Sequence, residues 1–369
     1  MTVLALLACL AWATMVLAWG RYWQAGPSLA PVRAAPPAPA LDVVVPARDE
    51  ADGIEVALRS LLAQDYAGPL RVILVDDQST DGTGAIARAI AAADPRLVVI
   101  EGGKRPAGWS GKLWAVAQGV ERAEAPLVLL TDADIVHDPL HLATLAAKLE
   151  ADGLDLVSEM VELRCTALAE RLLVPAFVYF FAMLYPFAWV NDPQRGTAAA
   201  AGGTVLLRRR ALERIGGVRA VRGALIDDVA LARAVKRGGR IWLGHSQLAR
   251  SVRPYPDALS VWRMVARTAY VQLGRSPAML LLCIAGMGLV WLVPPGAALL
   301  AHGAARWLGL AAWVAMALSY VPTLRRFRLS PLWAPLLPGV AVFYMAATLG
   351  SALDHHRGRG VVWKRRAYA

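Results

Sequence analysis

The sequence predicts an α/β fold, a mostly parallel sheet covered by helices on both faces, with apolar segments of membrane length before and after it. Three observations carry this. Between residues 41 and 165, short runs that are apolar throughout alternate with helical segments, as strands buried on both faces do. The polar, acid-rich clusters fall directly after those runs, where open α/β sheets bind ligands. The chain is 57% hydrophobic with a mean hydropathy of +0.44, and it holds long uncharged stretches near both ends.

The formal net charge is +11 and the pI is near 10.0. In so apolar a chain, this excess points to an anionic membrane face and anionic substrates. No zinc-finger spacing or RNP-like aromatic motif speaks for nucleic acid. The three cysteines, Cys9, Cys165 and Cys283, form neither a disulfide framework nor a thiolate metal site.

Val3 to Trp19 is uncharged and just long enough to span a bilayer. Met1-Thr2 supplies no basic region ahead of it, so an uncleaved anchor over residues 1–20 is expected rather than a signal peptide. Arg21 and Arg33 place the next part of the chain in the cytoplasm by the positive-inside tendency. Residues 21–40, with Pro27, Pro31, Pro36, Pro37 and Pro39, are expected to be a stiff linker.

The α/β segment then reads in order. Val43-Val44-Val45 is a strand, followed by Pro46-Ala47-Arg48-Asp49-Glu50 and a helix from Asp52 to about Ala63. Val72 to Val75 is the second strand, followed by Asp76-Asp77-Gln78-Ser79-Thr80-Asp81-Gly82 and an Ala-rich helix from Thr83 to Ala93. Leu97 to Ile100 is the third strand and Leu113 to Val120 a helix. Pro126 to Thr131 is the fourth strand, running into Asp132-Ala133-Asp134. Asp138 and Pro139 fit the cap and first position of the next helix.

Two carboxylates one residue apart suit a hard cation such as Mg²⁺ or Mn²⁺, and equally suit a solvated loop. Three acidic clusters at one sheet edge repel unless a cation or a donor-rich ligand sits among them, which favours a nucleotide and metal site. Gly108-Trp109-Ser110-Gly111-Lys112 precedes a helix. Lys112 is there either a phosphate contact or a solvated loop lysine, and the motif is not a P-loop because Leu113 follows it.

Leu172 to Val190 is uncharged and rich in Phe and Tyr. Pro175 and Pro186 favour an interfacial or membrane-dipping segment over a crossing. A strand is expected from Ala198 to Leu207 through Gly202-Gly203. A basic helix with Arg208, Arg209, Arg210 and Arg214 comes next, either a solvated face or an anion-attracting one. Asp227-Asp228 begins a helix that ends at Gly238-Gly239. These acids either compensate the helix dipole or provide a base for a hydroxyl nucleophile. His137, His141 and His245 are read as surface or structural residues rather than metal ligands.

Met279 to Leu299, Trp307 to Val321 and about Leu332 to Leu349 are apolar blocks of membrane length or slightly less, within a C-terminal membrane region at 278–352. Arg325, Arg326 and Arg328 mark a cytoplasmic turn. The tail, 353–369, is also basic, with Arg357, Arg359, Lys364, Arg365 and Arg366. The two signals conflict if all three blocks cross. The last block, with Pro331, Pro335 and Pro338, is therefore expected to be re-entrant or interfacial.

Taken together, Val45 to Glu50, Val75 to Thr83, Asp132-Ala133-Asp134, the Gly202-Gly203 strand with its Arg-rich follower, and Asp227-Asp228-Val229-Ala230-Leu231 resemble a family 2 glycosyltransferase of the GT-A fold. The likeness covers residues 41 to about 270. The N-terminal anchor, Gly108 to Lys112, Val252-Arg253-Pro254-Tyr255 and the Trp363 to Tyr368 tail are most similar to bacterial hopene-associated membrane glycosyltransferases, a polycyclic triterpenoid lipid setting.

The resemblance implies a cytoplasmic GT-A domain over 41–270, held in a bacterial inner membrane by several passes. Pro46, Ala47, Arg48 and Glu50 would line the base and ribose of a nucleotide sugar, and Asp77 would hold the nucleobase, usually uracil. Asp132 would sit at the ribose and phosphate, and Asp134 would ligate Mg²⁺ or Mn²⁺ through the diphosphate. Asp228 would be the general base; Asp227 stands where the family usually has Glu. Processive members carry Q-x-x-R-W, but here the region reads Trp262 to Thr268 without that Gln and Trp, which argues for transfer of a single sugar. Arg263 and Arg267 are left as diphosphate, acceptor or lipid-headgroup contacts. The implied activity is inverting, metal-dependent, non-processive transfer to a lipid hydroxyl. A polyprenyl-phosphate acceptor and a non-catalytic nucleotide- or lipid-binding component of a membrane complex remain as alternatives.

Overall fold

The computed structural model describes residues 1–33, 38–359, 361–363 and 366–368. Pro36 and Pro37 of the expected linker and Lys364 and Arg365 of the tail lie outside the described residues. The chain forms two compact units: Pro27–Arg164 with Trp189–Pro254, and Met1–Gly26 with Cys165–Ala188 and Tyr255–Ala369.

The first unit is an α/β layer built on an eight-stranded sheet. Its strands are β1 (Leu41–Ala47), β2 (Leu70–Asp76), β3 (Leu97–Glu101), β4 (Leu127–Thr131), β5 (Ile135–His137), β6 (Leu156–Glu162), β7 (Thr204–Arg208) and β8 (Ile241–Ser251), in the order β3-β2-β1-β4-β7-β6-β8-β5. β1 pairs in parallel with β2 and β4, β2 with β3, and β6 with β8; β7 runs antiparallel to β4 and β6, and β5 antiparallel to β8. The all-apolar strands sit centrally because both their faces are covered. Val43, Val44, Ile73, Leu74 and Leu129 are 0–1% exposed.

The helices are α1 (Ala51–Leu62), α2 (Thr83–Ala93), α3 (Gly111–Arg122), α4 (His141–Ala151), α5 (Arg209–Arg214) and α6 (Asp227–Lys236). α1 buries Ile54, Ala57, Leu58 and Leu61, spaced as one face of a helix requires. In β1 a carboxylate is tolerated because Arg71 Nε and Nη2 each donate to Asp42 at 2.9 Å, and the Glu124 and Ala125 amides donate to it as well. Burial alone would raise this carboxyl's pKa. Arg71 and the two amides outweigh that and lower it.

Several local expectations are corrected. α4 starts at His141, with Leu140 as its cap, rather than at Pro139. Asp138 Oδ1 instead accepts from the Leu140 amide at 3.0 Å while the Asp138 amide donates to the Leu248 carbonyl and its own carbonyl accepts from the His141 amide, so a turn separates β5 from α4. β7 begins only at Thr204. Residues 198–203 are irregular because the Ala201 amide and carbonyl both bond the Ser158 hydroxyl, taking that peptide out of the sheet ladder. The segment read as a linker is bonded to the sheet at its start: the Leu29 amide donates to His245 O, and the His245 amide to Pro27 O, each at 2.8 Å.

The second unit is helical and apolar. Pro277–Leu300, Gly303–Arg326 and Pro331–His356 are each long and apolar enough to cross a membrane. The last, expected to be re-entrant or interfacial, is a 3₁₀ turn at Pro331–Leu336 leading into an unbroken helix, Leu337–His356. Pro331, Pro335 and Pro338 fall in the turn or at the helix start, where a missing N–H costs little. Thr2–Ala18 is a 17-residue apolar helix, at the lower bound of a spanning length.

Gly309 lets two of these helices touch. A Cβ there would lie 2.6 Å from Ala297 Cβ and 2.8 Å from Pro294 O, so the contact depends on small residues, as membrane helix pairs do. Leu168–Leu184 packs within this unit through Tyr179, whose hydroxyl meets Ser319 Oγ at 2.6 Å and Tyr22 Oη at 3.1 Å.

Candidate active site

The site lies at the carboxyl ends of β1, β2 and β4. After β1, Arg48 Nη1 donates to the Asp77 carbonyl and stands 3.6 Å from the Asp77 carboxylate. The Asp77 side chain is fully buried and that of Arg48 nearly so. Asp49 and Gln78 have left-handed backbone (φ 49° and 57°), which is costly and concentrates at functional loops. Their conformation is over-determined here. The Asp49 amide bonds Ser79 Oγ, the Thr80 amide bonds Asp49 Oδ1, and the Glu50 amide bonds Thr83 Oγ1. These bonds tie the first two loops into one surface.

After β4, Lys112 from the first turn of α3 reaches Asp132 Oδ1 at 2.8 Å and Asp227 Oδ2 at 3.3 Å. Lys112, Asp132, Asp227, Asp228, Gly202 and Pro46 line one small pocket with apolar residues of β4, α3 and α6. Gly202 permits this closeness. A Cβ there would lie 3.2 Å from Asp228 Oδ2 and 3.4 Å from Lys112 Nζ.

The charges shift one another. Burial disfavours the Lys112 ammonium, but Asp132, Asp227 and Asp228 outweigh it and hold Lys112 above its usual range. Burial raises the Asp132 carboxyl, and Lys112 only partly opposes this. For Asp228, burial and then neighbouring Asp227 push the pKa up to about 7 against the pull of Lys112. A carboxylate poised there can accept a proton near neutral pH.

Asp134 does not line this pocket, though its charge adds to the rise at Asp132. Arg253 Nε donates to Asp134 Oδ2 at 2.6 Å, Ser251 Oγ lies 3.4 Å from the same oxygen, and Arg253 Nη2 donates to Glu50 Oε1 at 2.8 Å. Asp134 Oδ1 accepts no hydrogen bond among the described residues. Among those residues no three His, Cys, Asp or Glu could enclose a metal by themselves. Mg²⁺ is commonly held by one or two carboxylates plus substrate phosphates and water, so Asp134 Oδ1 fits such an ion.

Behind β4, a buried chain runs Thr131–His137–His141–Glu159. Thr131 Oγ1 donates to Gly203 O at 2.8 Å, so at 3.2 Å it accepts from His137 Nε2. Burial and His141 keep His137 neutral, so its Nδ1 accepts from His141 Nδ1 at 2.8 Å. His141 Nε2 meets Glu159 Oε1 at 2.7 Å, and Glu159 Oε2 is buried without a partner.

The sequence-predicted residues thus fall into groups. Pro46, Lys112, Asp132, Asp227 and Asp228 converge on one pocket. Ala47, Arg48, Glu50 and Asp77 line the adjoining loops. Asp134 pairs with Arg253. Arg263 and Arg267 belong to the other unit, on helix Ala258–Ala266 and at its C-cap. The sequence reading missed Arg253 and the histidine chain. Arg253 had a signal, since it stands two residues past the last strand, at the same sheet edge as the acidic clusters.

Comparisons with known proteins bear on this arrangement. Residues 42–216 match Glycosyl transferase family 2. An N-acetylglucosaminyltransferase of Azorhizobium caulinodans is 32% identical over 120 residues, 32% of this chain and 29% of the relative. A 4,4'-diaponeurosporenoate glycosyltransferase of Staphylococcus aureus is 36% identical over 96 residues, 26% of this chain and 24% of the relative. The chain therefore spans less than a third of the length of these curated relatives. A solved mannosyltransferase from Pyrobaculum calidifontis, in complex with GDP-Man and Mn²⁺, superposes with a TM-score of 0.57 at 21% identity, covering 95% of this chain and 99% of that one. The shared fold is the GT-A type that the sequence resemblance implies.

Proposed function

We propose that this chain is a membrane-bound, inverting glycosyltransferase of family 2 that moves one sugar from a nucleotide sugar to a hydroxyl of a lipid acceptor. The observation that carries the reading is the placement of Asp228 in one pocket with Lys112, Asp132 and Asp227 at the carboxyl edge of the sheet, where burial and Asp227 push its pKa up. The match over residues 42–216 supports the class of reaction.

The donor is read as a UDP-sugar, its base and ribose along Pro46, Ala47, Arg48, Glu50 and Asp77, and its ribose and phosphates near Asp132. Lys112 is held as an ammonium and faces the charge that grows on the departing nucleoside diphosphate. Asp228 takes the proton from the acceptor hydroxyl as its oxygen bonds to the anomeric carbon. The bond from that carbon to the phosphate oxygen breaks on the opposite face, which inverts the centre. Mg²⁺ or Mn²⁺, when bound with the diphosphate at Asp134, supplies neutralisation of the leaving group.

Three helices of membrane length support attachment to a membrane, and the basic residues support a cytoplasm-facing site at a bacterial inner membrane. The acceptor is read as a hopanoid or related lipid, supported by the sequence resemblance described above; Arg263 and Arg267 are read as headgroup or diphosphate contacts. The test is mass spectrometry of membrane lipids from cells with the wild-type protein, with Asp228→Asn and with none. A glycosylated lipid present only with the wild type is expected. Its persistence with Asp228→Asn would refute the base assignment and favour an acceptor that is already ionised, such as a polyprenyl phosphate.

A further inference from the structure

We propose that Arg253 is the resident counter-cation of the donor site, holding Asp134 and Glu50 together in the donor-free protein and yielding Asp134 to the divalent ion that arrives with a nucleoside diphosphate. The inference rests on the reading of Asp134 given above, but its test does not require transfer activity.

Glu50 follows β1 and Asp134 follows β4; each carries a negative charge to the same edge of the sheet. Carboxylates so placed repel unless a cation lies between them. Arg253 fills that place with two different nitrogens: Nε on Asp134 at 2.6 Å and Nη2 on Glu50 at 2.8 Å. Both distances belong to charge-assisted hydrogen bonds.

The backbone is aligned for this contact. The Val252 amide donates to Asp134 O at 2.9 Å, and the Arg253 amide to Ser251 Oγ at 3.2 Å, so the strand that carries the guanidinium is laced to the residue it neutralises. The Arg253 side chain is 38% exposed, against 12% for Asp134 and 16% for Glu50. Thus the acids are fixed, while the arginine has room to turn outward.

A guanidinium stays charged at every pH at which proteins fold. Its competition with a metal for Asp134 is therefore constant with pH and is set by geometry. Two positive charges cannot share the Asp134 carboxylate without repulsion, so a metal binding there alone must displace Arg253. A metal arriving with a diphosphate brings anionic oxygens that can receive the displaced guanidinium. The expected consequence is weak affinity for the bare ion and strong coupling between metal and nucleotide.

The test is titration of the full-length, detergent-solubilised protein with Mn²⁺ alone, followed by electron paramagnetic resonance, with near-ultraviolet circular dichroism as the check of fold. Arg253→Gln is expected to bind Mn²⁺ about tenfold more tightly than the wild type, equivalent to roughly 1.4 kcal/mol. Arg253→Lys keeps a positive charge but cannot bridge both acids, and is expected to fall between the two; it carries the test alone if the Gln variant misfolds. Asp134→Asn is expected to remove the site in every background. Equal or weaker Mn²⁺ binding by the folded Arg253 variants overturns the inference and leaves the proposed reaction standing. Absence of any Asp134-dependent Mn²⁺ binding overturns both the inference and the metal assignment, and transfer from a nucleotide sugar then tests the remainder of the reading.

Discussion

His141 Nε2 lies 2.7 Å from Glu159 Oε1, with both side chains fully shielded from solvent. Through His137 this contact fixes the hydroxyl of Thr131 against Gly203. Removing one partner of a buried pair leaves the other unsatisfied. Glu159→Ala is therefore expected to lower stability by about 3–5 kcal/mol. Glu159→Gln keeps a hydrogen-bonding group opposite His141 Nε2 and should recover most of that loss. Chemical denaturation of the solubilised variants measures both.

Asp228 is expected to be indispensable for turnover but not for donor binding. A positioned base typically contributes ~10²–10⁴ in rate. Asp228→Asn should lose that much in kcat, while nucleotide affinity by calorimetry stays within a few-fold of wild type.

The same residue sets a pH dependence. Its pKa of about 7 is raised by burial and Asp227, and the base acts only when ionised. Thus kcat/KM should rise with pH through a midpoint near 7 and level off above it. A flat profile between pH 5.5 and 8.5 would remove Asp228 from this role.

Lys112 opposes that rise. Lys112→Met deletes the cation from Asp132, Asp227 and Asp228, so the midpoint should move to higher pH while the plateau falls. A shift to lower pH would contradict the electrostatic account.

Gly202→Ala probes crowding. The added methyl would stand 3.2 Å from Asp228 Oδ2, tighter than ordinary contact, so Asp228 must move by a few tenths of an ångström. If Asp228 is the base proposed above, such misplacement is expected to reduce kcat by about one to two orders of magnitude. Thermal denaturation should show little change.

Much of this was legible in the sequence, for physical reasons. β1 and β2 are runs of Val, Ile and Leu buried on both faces, and the Ala-rich helix matches its predicted bounds, Thr83–Ala93. The acidic clusters were readable because they directly follow such runs. β6 and β8 were not. Ser158 and Glu159 interrupt the one, and Gly244, His245, Gln247 and Arg250 interrupt the other. Several of these polar residues are buried with partners distant in sequence, which no local pattern encodes. For His141 the sequence leaves surface and structural roles open for the same reason: its buried partner Glu159 is on another element. Arg253 acquires its meaning only when the sheet brings Asp134 and Glu50 to it.

Glu50 and Arg253 are 203 positions apart, and Asp134 and Arg253 are 119 apart. Contacts of such separation close large loops and form late in folding. During synthesis, β1, β2, β3 and β4 emerge long before β8, so their acidic loops assemble without the guanidinium that reconciles them. The edge strand β5 also waits for β8, with which it pairs at the edge of the sheet. β8 thus supplies the pairing for β5 and, two residues on, the guanidinium that bonds Glu50 and Asp134. A nascent chain that has not yet delivered Ser251 and Arg253 carries Glu50 and Asp134 without the guanidinium that bonds both in the finished fold.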